Sequence, residues 1–175
     1  MRQNVLFTAH NETIQVNQIL YAGSVFEIPV ANRKNDNTHS IKIITRAGAV
    51  WCNYNNAEIA NKARAALAVM MDQVKKVVFK SQGEVVDPKE IISYSNVCEI
   101  KSSSGKSSYG FVITIDCLDD KHRKLWFVYS STETAEKARK SLYACMMELY
   151  GISREPSRST EQTIENPSDK VLSFN

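Results

Sequence analysis

The sequence predicts an α+β fold built as a tandem duplication: an antiparallel β-sheet of about five strands plus one C-terminal helix, repeated about a pseudo-twofold. Three observations carry this prediction. The first is self-similarity. The stretch Trp51-Cys-Asn-Tyr-Asn-Asn-Ala-Glu58 returns as Trp126-Phe-Val-Tyr-Ser-Ser-Thr-Glu133, and Ala60, Lys62, Ala63, Arg64 and Leu67 return 75 residues later as Ala135, Lys137, Ala138, Arg139 and Leu142. The second is periodicity, because each copy passes from two-residue alternation to a helical stripe. The third is where the offset slips. It is 72 from Phe7/Phe79 to Val25/Val97, 70 at Ile43/Ile113 and 75 at Trp51/Trp126, and the slips fall in predicted loops, where insertions are tolerated.

In order, Asn4–Ala9 and Thr13–Val16 read as a hairpin around His10-Asn11-Glu12. Leu20–Val30 is the next strand, closed at Pro29, and 31–38 is a polar loop. Ser40–Arg46 places Ile41 and Ile43 on one face and Lys42, Ile44 and Arg46 on the other. Val50–Asn55 closes the copy. A helix then begins at Asn55, with Glu58 three residues on in the form of a capping box and Ile59, Ala63, Leu67 and Met70 as its apolar stripe. The second copy repeats the plan from Val77. Its helix begins at Ser130 with Glu133, carries Ala135, Ala138, Leu142, Cys145, Met146 and Leu149 inward, and ends at Gly151. The units are 1–73 and 74–151. The stretch 152–175 is poor in apolar residues, holds Pro156 and Pro167, and reads as a disordered tail.

Composition excludes more than it selects. A net charge of +3 permits acidic partners without announcing them. Cys52, Cys98, Cys117 and Cys145 show neither CxxC nor zinc spacing, so they read as free buried thiols in a reducing cytoplasm. The N-terminus lacks the apolar core of a signal peptide, and no apolar run approaches the ~18 residues of a membrane span. The expectation is a cytoplasmic protein with no membrane partner.

Apparent catalytic motifs fail on context. Gly105-Lys106-Ser107 lacks the earlier glycine and the following helix of a phosphate loop. Asp116–His122 gathers carboxylates, a thiol and an imidazole in one turn, where such groups are usually solvated. No convergent nucleophile and base stand out, so the expectation is a non-enzyme with no cofactor and no metal.

The strand faces say more. Val50, Cys52 and Tyr54, like Leu125, Phe127 and Tyr129, form the apolar set expected beneath each helix. Trp51, Asn53 and Trp126 then lie on the opposite faces, with Lys42 and Arg46 beside Trp51; the second copy carries Thr114 and Asp116 at those positions, and its cations Arg123 and Lys124 belong to a basic loop cluster. An indole flanked by cations and amides on a sheet suits an unpaired base, whose stacking is worth ~1–3 kcal/mol. A matched tryptophan pair equally suits an interface between copies or chains. The expected partners are single-stranded DNA or RNA, with a protein partner met by face or strand edge, a second copy of the chain, or a small nucleotide-like ligand between the repeats as alternatives. The layout resembles the Whirly and PUR single-stranded nucleic-acid binders, and the strands-then-helix order resembles the end of a pleckstrin-homology-like domain. Each likeness is one of topology and carries no site residue with it.

Overall fold

In the computed structural model, which describes residues 5–9, 12–101 and 106–151, two helices pack against mostly antiparallel sheets. The predicted tail at 152–175 and the Gly105 position lie outside the described residues. The strands are β1 (Leu6–Ala9), β2 (Glu12–Gln15), β3 (Ile19–Glu27), β4 (His39–Thr45) and β5 (Gly48–Tyr54), followed by α1 (Ala57–Val74). Then come β6 (Phe79–Ser81), β7 (Glu84–Val86), β8 (Ile91–Tyr94), β9 (Cys98–Lys101), β10 (Ser107–Ile115), β11 (Lys124–Tyr129) and α2 (Thr132–Tyr150).

Both helices begin one residue later than the capping-box pattern predicts. Asn56 Oδ1 accepts the Ile59 amide at 2.9 Å, and Ser131 Oγ accepts the Thr134 amide at 3.2 Å. Glu58 and Glu133 therefore sit in the first turn, where they meet the positive end of the helix dipole instead of reaching back to the cap. The buried stripe of α1 is Ala60, Arg64, Leu67 and Met71, while Ile59 is exposed. The predicted stripe of Ile59, Ala63, Leu67 and Met70 is therefore rotated from the observed one, which takes in the charged Arg64. At the far end Gly151 takes φ 66°, and its amide bonds back to Glu148 and Met147, the left-handed cap expected there.

The principal sheet runs β5-β4-β3-β7-β6, and a second contains β11-β10-β8, with β9 also on β10. The β6–β7 hairpin of the second half thus joins the sheet of the first, pairing Tyr21 with Val86 and Ala22 with Val85. Its two-residue turn puts Gln82 at φ 50° and Gly83 at φ 75°, the positive pair that matches strand twist. Local patterning predicts this hairpin but not its partner.

Side chains on the two faces of the principal sheet feed two cores. Ile41, Ile43, Cys52 and Val85 pack with Leu67 and Met71 of α1 and with Phe7 and Ile14 of the first hairpin. Leu20, Tyr21, Ile44 and Val86 pack with Phe79, Phe111 and Phe127 and with Leu142 of α2. Each fully buried side chain of this size contributes ~1.5–3 kcal/mol. The joint carries polar ties as well. Lys75 Nζ meets Asp87 at 2.6 Å with both side chains nearly buried, and the Asp87 amide donates to Leu20 O at 2.9 Å.

The joint departs from the expected twofold. β7 adds to β3, yet β1 and β2 form a separate two-stranded sheet, and β8 pairs only with β10 among the described residues. An isologous joint would make both pairings.

Candidate nucleotide-binding groove

An open groove of about 320 Å³ is lined by Tyr21, Gly23, Ser24, Phe26, Lys42, Trp51 and Glu84. It exists because β4 and β5 pair Lys42 directly with Trp51, and β3 crosses beside them with a register shift between Ala22 and Val25. Gly23 lies in that irregular stretch. A Cβ there would come within 3.1 Å of Tyr21 Oη and 3.2 Å of Lys42 O, so glycine lets the strands approach.

Trp51 is 48% exposed. Phe26 meets it edge-on, with centroids 5.7 Å apart and planes at 82°, and Lys42 Nζ lies 5.6 Å from its ring centroid. Partial burial lowers the Lys42 pKa, an effect that the carboxylates of Asp119 and Glu84 oppose. Glu84 enters from the other half. Burial raises its pKa against the hydrogen bond from Tyr21 and the charges of Arg64 and Lys42. Burial likewise raises the Tyr21 pKa, so its phenol remains a donor.

The groove floor is held from behind by Arg64, which is only 9% exposed. Its Nε donates to Gly23 O at 2.9 Å and its Nη2 donates to Gly83 O, tying the β3 irregularity to the β6–β7 turn beside Glu84. Burial lowers the Arg64 pKa, while Glu84 and Tyr21 act the other way.

The predicted site residues separate. Lys42, Trp51 and Asn53 share one face, Asn53 opposite Ser40 on β4. Arg46 does not join them. β4 ends at Thr45, and Arg46 turns to Glu90 at 2.5 Å. Arg123 is likewise held, donating to Cys117 O at 2.9 Å and pairing with Asp120 at 2.9 Å. Lys124 and Trp126 are exposed on β11, Trp126 at 55%. They lie away from the Trp51 groove. Trp126 alternates with the core residues Leu125 and Phe127, whereas Trp51 shares its face with Ile44 and Ala49, which pack toward that same core.

Phe26, Tyr21, Glu84 and Arg64 were missing from the predicted site. Simple alternation along β3 sets Tyr21 and Phe26 on opposite faces, and the register shift between Ala22 and Val25 brings both to the groove; Glu84 arrives through pairing between the halves. In the Asp116–His122 turn, Asp119 Oδ2 meets His122 Nδ1 at 2.6 Å, and no group of three or more metal-type ligands converges among the described residues. All four cysteines are free, but Cys98 is exposed and Cys145 only half-buried, contrary to the expectation of uniformly buried thiols. No described helix is long and apolar enough to cross a membrane. Comparison with family models, curated proteins and solved structures finds no significant match.

Proposed function

We propose that this is a non-catalytic binding protein whose Trp51 groove takes an unpaired base of single-stranded nucleic acid. The observation that carries the reading is the half-exposed indole braced by Phe26, with the Lys42 ammonium beside it, in an open groove. Stacking on Trp51 supplies most of the affinity, at ~1–3 kcal/mol per base. Phosphate neutralisation is slight, because Arg46 and Arg123 are engaged by carboxylates. One phosphate on Lys42 gives a salt slope of roughly −0.7. Because Glu84 comes from the second half, the groove also suits a free nucleotide-like ligand at the junction.

The test is anisotropy of labelled DNA and RNA octamers, with mononucleotides as competitors. Trp51→Ala should weaken binding by about 5- to 150-fold, the loss of one stacked base. Competition by mononucleotides at equal base concentration favours the small-ligand reading. Affinity indifferent to Trp51→Ala rejects both.

The duplication belongs to this reading too. Arg64 donates to Gly23 O and Arg139 donates to Ser95 O at 3.0 Å, and Ser95 lies 72 residues after Gly23. The matched caps Asn56 and Ser131 support the same view. Where the first half sets Tyr21, Ile44 and Ala49 against the second, the second half carries Ser93, Thr114 and Lys124 at the matching positions, polar residues in place of the joint's apolar ones. A protein partner is the competing reading, supported by exposed Trp126 and Val128 on the outer face of β11 and by exposed Ile92 on β8. A complex that survives nuclease treatment and is lost in Trp126→Ala would favour it.

A further inference from the structure

We infer that the groove selects guanine, with Glu84 reading the N1–H and N2–H donors of the base while Trp51 stacks on its ring. The inference rests on the base-binding reading above. Its ground is the polar inventory of the groove, in which Glu84 is the lone carboxylate among the lining residues and lies on β7, across β3 and β4 from Trp51 on β5. An ionised carboxylate offers acceptors only. It therefore fits a base edge that presents two adjacent donors. Guanine has that edge in N1–H and N2–H. Adenine and cytosine set one amino donor beside a ring-nitrogen lone pair, which a carboxylate repels. Uracil and thymine flank their single N–H with two carbonyl oxygens, which are repelled as well.

The surroundings keep Glu84 available for this task. No basic side chain lies within ion-pairing distance of its carboxylate among the described residues, although Lys42 and Arg64 supply favourable charge from farther away. The Tyr21 phenol lines the same groove and favours the ionised carboxylate, whose oxygens are left to accept from a ligand. The short turn at Gln82-Gly83 and the Arg64 clamp on Gly83 O hold the strand that presents it. A fixed acceptor discriminates more sharply than a mobile one, because a mismatched base leaves a partly buried charge facing a lone pair.

The experiment measures binding of thymidine octamers carrying one central guanine, inosine, adenine or cytosine. Guanine should bind about tenfold tighter than adenine or cytosine, with inosine, which lacks the N2 amino group, in between. Glu84→Gln keeps the size of the side chain but pairs one acceptor with one donor, the pattern that matches adenine. It should abolish the guanine preference and improve adenine binding relative to guanine. Equal affinity for all four octamers, still dependent on Trp51, overturns the guanine inference and leaves base stacking intact. A guanine preference unchanged in Glu84→Gln also overturns it. Binding of no octamer, or binding indifferent to Trp51→Ala, removes the base-binding reading itself. Circular dichroism of each variant separates lost binding from lost fold.

Discussion

Replacing Arg64 with methionine removes two donors and one charge from beneath the groove while keeping much of the aliphatic stem. The guanidinium makes charge-assisted hydrogen bonds to Gly23 O and Gly83 O, both backbone carbonyls at irregular points of the principal sheet. Hydrogen bonds to charged groups are worth ~1.5–3 kcal/mol each, and an abandoned buried acceptor keeps its desolvation cost. Methionine recovers part of the loss through packing and escapes the cost of burying a cation. The expected net destabilisation is about 3 kcal/mol by these magnitudes. Arg139 is the internal control. It makes the matching bond to Ser95 O and another to Asn96 Oδ1 at 2.9 Å, and lies 5.4 Å from the Tyr94 ring centroid, but the side chain is only half-buried and its bonds are open to solvent. Arg139→Met should cost under ~1 kcal/mol, as exposed pairs do. Urea unfolding followed by circular dichroism gives both values, provided the slope of the transition is unchanged. Equal costs for the two variants, or a loss below ~1 kcal/mol for Arg64→Met, would refute the clamp.

Glu84 should oppose folding at neutral pH. Its folded pKa is raised by burial, so its favourable contribution is present below the unfolded value of about 4.3 and is lost as pH rises through the folded value. Glu84→Gln should therefore gain melting temperature over wild type at pH 7, and the gain should shrink toward pH 4; a gain that grows on acidification would contradict the assignment. Thiol reactivity should divide by exposure. Cys98 is exposed, whereas burial, with a smaller effect from Glu12, pushes Cys52 up to about 11. A thiol reagent at pH 8 should show one fast phase, absent in Cys98→Ser, and its persistence in that variant would contradict the burial pattern.

Local chemistry made much of this fold readable. Alternation in β5 and β11 put Cys52, Tyr54, Leu125, Phe127 and Tyr129 inward and both tryptophans outward, as observed. The errors have physical causes. Arg64 is a charge on a buried stripe, tolerated because two carbonyls receive it, and nothing in a periodic pattern signals such partners. Arg46 lies one residue beyond β4, where alternation no longer fixes direction, and Glu90, 44 residues on, captures it. The groove itself depends on β7 adding to β3 across the two halves. Strand pairing at that separation is set by tertiary packing, so Glu84 could not be assigned from sequence.

The most direct measurement of the central claim is intrinsic fluorescence in a Trp126→Phe background, which leaves Trp51 as the sole indole. Titration with a single-stranded octamer should quench the emission, with a midpoint that weakens modestly as salt rises. Emission that ignores every oligonucleotide and mononucleotide, from a protein still folded by circular dichroism, would contradict the claim that Trp51 is a base-stacking platform.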